Sequence, residues 1–437
     1  MSAPSTVRRL VVFPGVTLGL AAGLIGLAGY AQTRSSPAAP ARAVLYASVG
    51  AELTQYDVDV ERATLTLRRT VSLPANVQEA ALAPSRRHLY VGWSNSGASY
   101  GTPGGAPGES PRHGVTAFRR DGTSGALTSD GTPVRLRARP IHLTTDVDGA
   151  HLLVAYNNPS GVTVHRLHPD GTLGAEVEQP YPLDAGIYGH HVRVQPSNRA
   201  VVLVTRGNAP TASAPEDPGA LKVFAYSNGV LRSRASIAPG GGYGFQARHL
   251  DFHPSRPWAF LTLERQNQIA MFGVVDDSLS AAPLFSKTTL ADPGHIRPGQ
   301  TTSSIHVHPN GRFVYVGNRA SATTEVQGTR VSAGGENTIA VFAIDQATGE
   351  PRLIQTSETR GFQPRTFALD AGGRILVAGN QNPLVVRDGN GVRTVPASLS
   401  VFRIGADGTL AFVRQYDVDA QPDAGRLLFW MGIAPLD

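Results

Sequence analysis

One strand-turn-strand unit recurs along this chain, and that recurrence constrains the fold more than any other feature. The turns read Pro84-Ser85-Arg86, Asp146-Val147-Asp148-Gly149, Pro196-Ser197-Asn198, Pro254-Ser255-Arg256, Pro309-Asn310-Gly311 and Asp370-Ala371-Gly372. Each is followed by an apolar run: HLYVGW, HLLVAY, AVVLVT, WAFLTL, FVYVGN or ILVAGN. Another alternating strand comes later in each unit: VTAF, VTVHRL, LKVFAY, IAMFGV, IAVFAI or LSVFRI. Most units close on a turn and a leucine, as in Asp170-Gly171-Thr172-Leu173 and Asp407-Gly408-Thr409-Leu410. A period of about 50–60 residues is the signature of propeller blades, each a four-stranded sheet.

Six units are complete, and the chain ends supply a seventh. The segment Val44 to Leu65 carries only later strands (LYASV, LTQYDV, ATLTL), while Arg426 to Met431 has the pattern of a missing inner strand. The expected fold is therefore all-β: a seven-bladed propeller with four-stranded blades over residues 44–437, closed by pairing of its N- and C-terminal strands. Closure of this kind leaves no long sheet edge open. The 48 Gly and 32 Pro punctuate apolar runs, and hydrophobic residues at 41% exclude a disordered chain. Insertions at Ser94 to His113, Asn208 to Gly219 and Ala320 to Glu336 are expected to form loops over one face.

Ahead of the repeats, Arg8-Arg9 precede an apolar stretch from Leu10 to Leu27, and Gly29-Tyr30-Ala31 places small residues where a signal peptidase cuts. Residues 1–31 read as a signal peptide and 32–43 as a Ser-, Pro- and Ala-rich linker. The expected location is periplasmic or secreted; uncleaved, the segment would anchor the chain in a membrane. There is no Cys, which excludes disulfides, thiolate metal sites and a cysteine nucleophile. The formal charge of +6 is spread thinly, without a basic run interleaved with aromatics, so no nucleic-acid partner is expected. A monomer is expected.

The candidate site comes from repeat register. In the hairpin ARHLDFHP to LTLE, the start of one strand lies beside the end of the next, so Arg248, His249 and Glu264 should meet. Equivalent starts of inner strands hold Gln78-Glu79, Pro140-Ile141, His190-His191, Arg248-His249, Ser303-Ser304 and Pro364-Arg365. Equivalent ends of second strands hold Ser94, Tyr156, Arg206, Glu264, Arg319 and Asn380. Both sets should face one mouth of the central channel. So many cations at one opening imply an anionic ligand.

Other residues read as structural. His253 and His308 sit beside turns, where a side chain that accepts a hydrogen bond suits the bend. His306 and His308 alternate along a strand with no Asp or Cys in register, so no metal is expected. Ser303-Ser304 lack the strand-turn-helix elbow of a nucleophile.

The stretches ARHLDFHP with LTLE, IHVHPNGRFVYVGNRA with NTIAVFAID, and QPRTFALDAGGRILVAGNQ resemble the lactonase family of seven-bladed propellers. That family includes 6-phosphogluconolactonases and carboxymuconate lactonizing enzymes. The resemblance implies His190, Arg248, Glu264 and Arg319 as catalytic residues, with His191, His249, Arg206 and Arg365 binding substrate, and no cofactor. Where family members often carry Asp-Leu-Gly, this chain has Thr205-Arg206-Gly207, a cation in place of an acid. The implied partner is a small anionic lactone or carboxylate. Opening a lactone needs an activated water, with His190 or Glu264 to take its proton, and Arg248 or Arg319 to stabilise the oxyanion. The expected function is hydrolysis of an anionic sugar-acid-type lactone. The alternatives are a muconate-type cycloisomerase or a non-catalytic envelope propeller that binds a ligand or protein.

Overall fold

The computed structural model describes residues 1–2, 42–96 and 109–437. The proposed signal peptide and most of the proposed linker lie outside the described residues, as does the centre of the Ser94 to His113 insertion. Among the described residues, no helix is long and apolar enough to cross a membrane.

Seven sheets of four or five strands make the blades. The innermost strands of the first six, in chain order, are Asn76–Leu82, Pro140–Thr145, Gly189–Val194, Ala247–Phe252, Gln300–Val307 and Phe362–Leu369. The seventh blade joins both ends of the chain. Its innermost strand, Leu428–Pro435, pairs antiparallel with Arg42–Val49, with Leu45 opposite Ile433. This closing strand begins two residues later than the sequence pattern suggested and runs on to Pro435. The first strand begins at Arg42, inside the expected linker.

The core lies between blades. Seven clusters of buried apolar side chains each draw on two neighbouring sheets; Phe260, Met271, Val314 and Phe342 share one, and Tyr90, Val115, Leu143 and Val154 another. The recurring Gly of the second strand serves this contact. A Cβ on Gly317 would sit 2.2 Å from Ser303 Oγ and 3.1 Å from the Pro364 carbonyl of the next blade. Polar clips join the blades as well. Tyr90 donates to the Gly171 carbonyl at 2.9 Å and Tyr315 to the Gly408 carbonyl at 3.0 Å, each reaching the closing turn of the next blade.

In four blades the turn after the inner strand is held by the side chain of the residue that precedes it. His253 Nδ1 accepts from the amides of Ser255 and Arg256, and its Nε2 meets the Gly311 carbonyl at 2.7 Å. His308 does the same with Asn310 and Gly373. Asp146 and Asp370 occupy the same place and accept from turn amides with a carboxylate. The insertion from Asn208 to Gly219 is irregular, as expected. That from Ala320 to Glu336 is not: it contains a hairpin, Thr323–Val326 with Thr329–Ser332. A second hairpin, Leu384–Asp388 with Gly391–Val395, was not anticipated.

Candidate active site

Each innermost strand breaks register near its start. Pairing jumps between Val77 and Glu79, Pro140 and His142, Gly189 and His191, Ala247 and Leu250, Thr302 and Ile305, Pro364 and Thr366, and Leu428 and Met431. A bulge inserts an unpaired residue and re-aims side chains. Seven bulges fall at one level, at Gln78, Ile141, His190, Arg248, Ser303, Arg365 and Phe429, although Ile141 packs into the core between blades and Ser303 turns to the next blade. The next ring is Glu79, His142, His191, His249, Ser304, Thr366 and Trp430.

These pairings correct two blades of the expected register. The pair Pro140-Ile141 should read Ile141-His142, and Pro364-Arg365 should read Arg365-Thr366. The second-strand ends shift likewise, from Tyr156 to Asn157 and from Asn380 to Gln381. In these two blades Asp146 and Asp370 stand where His253 and His308 stand, one residue before the turn proline, so aligning them with the prolines shifted both blades by one. The slip hid His142, which joins the site.

The expected hairpin partners do meet. Arg248 Nε lies 3.5 Å from Glu264 Oε1. Arg206, in the preceding blade, donates to Glu264 Oε2 at 3.0 Å, and Arg319, in the following blade, donates to Oε1. Three guanidiniums thus converge on one carboxylate. Burial would raise the Glu264 carboxyl, but Arg319, Arg248 and Arg206 outweigh it and hold it at about 2. Arg206 also stacks on Tyr188, 4.0 Å from the ring centre.

Arg248 is 1% exposed, and its Nε and Nη1 have no hydrogen-bond partner among the described residues. Burial and Arg319 both weigh against its charge, while Glu264 favours it. A buried guanidinium with unmet donors is costly unless a ligand satisfies it.

Four histidine rings lie one against the next beside this cluster, with His191 and His249 stacked and the other neighbouring pairs tilted. Ring centres are 3.8 Å apart for His142 and His191, 4.4 Å for His191 and His249, and 5.2 Å for His190 and His249. Burial first, and then Arg248 and its neighbours, holds His190 and His249 well below the usual imidazole range. Burial holds His142 at about 3, with Arg193 adding to it. All four are therefore neutral at pH 7. His190 Nδ1 is buried without a partner among the described residues. Among the described residues, no group of three or more His, Cys, Asp or Glu is arranged to hold a metal ion.

Across the channel, Arg365 packs flat on Phe429, 3.7 Å from the ring centre. Arg139 lies 5.9 Å from the same ring and donates to Gln78 Oε1 at 2.7 Å. The Ser303 and Ser304 hydroxyls donate to the Pro364 and Arg365 carbonyls, at 2.6 and 2.9 Å, as blade clips. Further along the channel, Arg193 pairs with Asp251 at 2.6 Å. Sequence reasoning missed Arg139, His142, Phe429 and Trp430. A corrected register would have found His142, but Phe429 and Trp430 enter only through ring closure.

A family model described as "Lactonase, 7-bladed beta-propeller" matches residues 43–387. A 6-phosphogluconolactonase of Pectobacterium carotovorum subsp. carotovorum (strain PC1) is 29% identical over 323 residues, covering 72% of this chain and 81% of that protein. One from Bacillus subtilis (strain 168) is 28% identical over 281 residues, 61% of this chain and 70% of the relative. Among solved structures, a periplasmic gluconolactonase of Pseudomonas aeruginosa superposes with a TM-score of 0.68 at 20% identity, covering 91% of this chain and all of that one. That likeness concerns the fold.

Proposed function

The chain belongs to the lactonase family of seven-bladed propellers, and from that premise we propose that it hydrolyses an anionic sugar-acid lactone at the mouth of its channel. The observation that carries this reading is Arg248, a buried guanidinium with unmet donors beside two more guanidiniums that share one carboxylate. Relatives at 28–29% identity bear the name 6-phosphogluconolactonase, and the name supplies the reaction class.

The residues divide the work by their charge states. Arg248 and Arg319 face developing negative charge on the carbonyl oxygen and grip an anionic group of the substrate. His190, neutral and with a free Nδ1, takes the proton of the attacking water. Glu264 has its carboxylate oxygens engaged by three guanidiniums; it holds them in place and offsets their repulsion. His191, His249, Arg206 and Arg365 line the approach. We also infer export to the periplasm or beyond, on the strength of Arg8-Arg9, the apolar run and Gly29-Tyr30-Ala31. One chain is the working unit, since ring closure completes every blade within it.

The test is proton release by the purified protein against a panel of phosphorylated and unphosphorylated aldonolactones. Turnover that Arg248→Ala removes supports the reading, and no turnover across the panel refutes it. N-terminal sequencing of protein from its native host tests export, with a start near Gln32 expected.

A further inference from the structure

We propose that Glu79 is the acid that protonates the ring oxygen of the lactone as its C–O bond breaks, an assignment that rests on the lactonase reading above. Glu79 occupies in the first blade the bulge position that His191 and His249 occupy in the third and fourth. It lines a channel cavity of about 90 Å³ with His142, His191, His249, Arg365 and Trp430. That volume exceeds what a single water needs, so the cavity can admit part of a substrate. Around the ring of seven, the first blade stands across the channel from the fourth, which carries Arg248. Arg248 and Arg365 both lie near enough to act on the Glu79 carboxyl, so a lactone that enters this cavity from the guanidinium cluster comes between them and Glu79.

Glu79 and Glu264 live in opposite surroundings. Glu264 accepts from two guanidiniums and has a third at 3.5 Å. Glu79 Oε1 accepts from the amide of Ala80 at 3.3 Å. Burial raises the Glu79 carboxyl above the ordinary range, and Arg365, the Ala80 amide, the Trp430 indole and Arg248 only partly oppose it. Two carboxyls whose surroundings push them apart divide between the charged and the protonated role.

The reaction then balances. Water attacks the carbonyl carbon, its proton passes to His190, and the carbonyl pair moves onto the oxyanion facing Arg248 and Arg319. When that pair re-forms the carbonyl, the ring C–O bond breaks. Its electrons stay on the ring oxygen, which takes the proton of Glu79. His190 loses its proton to solvent and Glu79 regains one. One lactone and one water give one hydroxy acid.

The experiment compares Glu79→Gln with the unaltered chain on two substrates: the aldonolactone it opens fastest, and the ring-sulfur analogue of that lactone. A thiolate departs without prior protonation, because a thiol ionises near 8.5, far more readily than an alcohol. Glu79→Gln should lower kcat on the oxygen lactone about 100-fold or more, and on the thiolactone by less than about fivefold. On the oxygen lactone, kcat of the unaltered chain should fall as pH rises past about 8, where Glu79 loses its proton, and Glu79→Gln should remove that fall. Equal losses on both substrates, or no loss on either, overturn the assignment while leaving the lactonase reading standing. An unaltered chain inert on every lactone overturns both. If Glu79→Gln misfolds, Glu79→Asp keeps an acid at a shorter reach, and the same contrast between substrates decides.

Discussion

Arg206 and Glu264 meet across a blade boundary, Nη1 to Oε2 at 3.0 Å. Arg319 approaches the same carboxylate from the blade beyond, so one side chain ties three blades together at the channel mouth. The Glu264 side chain is 8% exposed, and its partners there are all cations. Removing its charge should leave three guanidiniums repelling one another in a dry setting.

Glu264→Gln should therefore cost both stability and catalysis. Breaking a buried ion pair from one side typically costs about 3–5 kcal/mol. Urea denaturation should show a loss of that size, with kcat/KM down at least tenfold. A loss of turnover at unchanged stability would instead assign Glu264 a direct proton-transfer role.

Arg319→Lys should keep the charge and lose the geometry. An ammonium cannot reproduce the paired contacts of a guanidinium to a carboxylate or phosphate. The expected outcome is a fold within experimental error of the original and a kcat/KM about tenfold lower or worse. KM for an anionic lactone should also rise with ionic strength, as binding at a partly open cationic mouth is screened. Steady-state kinetics at two salt concentrations check this.

The histidine stack predicts an acid limit. His142, His190, His191 and His249 all bind protons less readily in the fold than at their ordinary 6.5. Below pH 6.5 the unfolded chain takes up protons that the native one refuses. Stability is therefore fully present above that pH and is lost as pH falls toward the folded values. Each such group contributes about 1.4 kcal/mol per pH unit over its window. Urea midpoints measured from pH 7.5 to 5 should fall, and His142→Asn should make the slope shallower. A flat profile would contradict the buried, neutral stack.

His253→Ala should separate stability from activity. His253 clips its own turn and the Gly311 carbonyl of the next blade, away from the bulge ring. Losing it leaves buried groups unpaired, at a cost of about 1–3 kcal/mol. Its kcat/KM below the melting range should match the unaltered chain. A turnover loss as large as that of Arg248→Ala would mean that the channel mouth is wrongly placed.

Blade number, closure and the conjunction of Arg248 with Glu264 were legible in the sequence. Period-two alternation and turn residues are local properties, and repetition carries them around a ring. Two blades slipped by one residue because their turns begin on Asp146 and Asp370, which take the place of His253 and His308 and not of the proline that follows. That slip concealed His142 and misplaced Arg365.

The sequence by itself determined the architecture and the residue types that gather at the mouth, since hairpin pairing and a repeat offset are enough to bring equivalent positions to one end of a channel. Only the tertiary structure decided their charge states and roles. Glu264 is clamped because Arg206 and Arg319 approach it from blades on either side. Glu79 is not clamped in this way, although it is the same residue type facing the same channel. Such differences depend on burial and on distances between segments far apart in the chain, which no local pattern encodes.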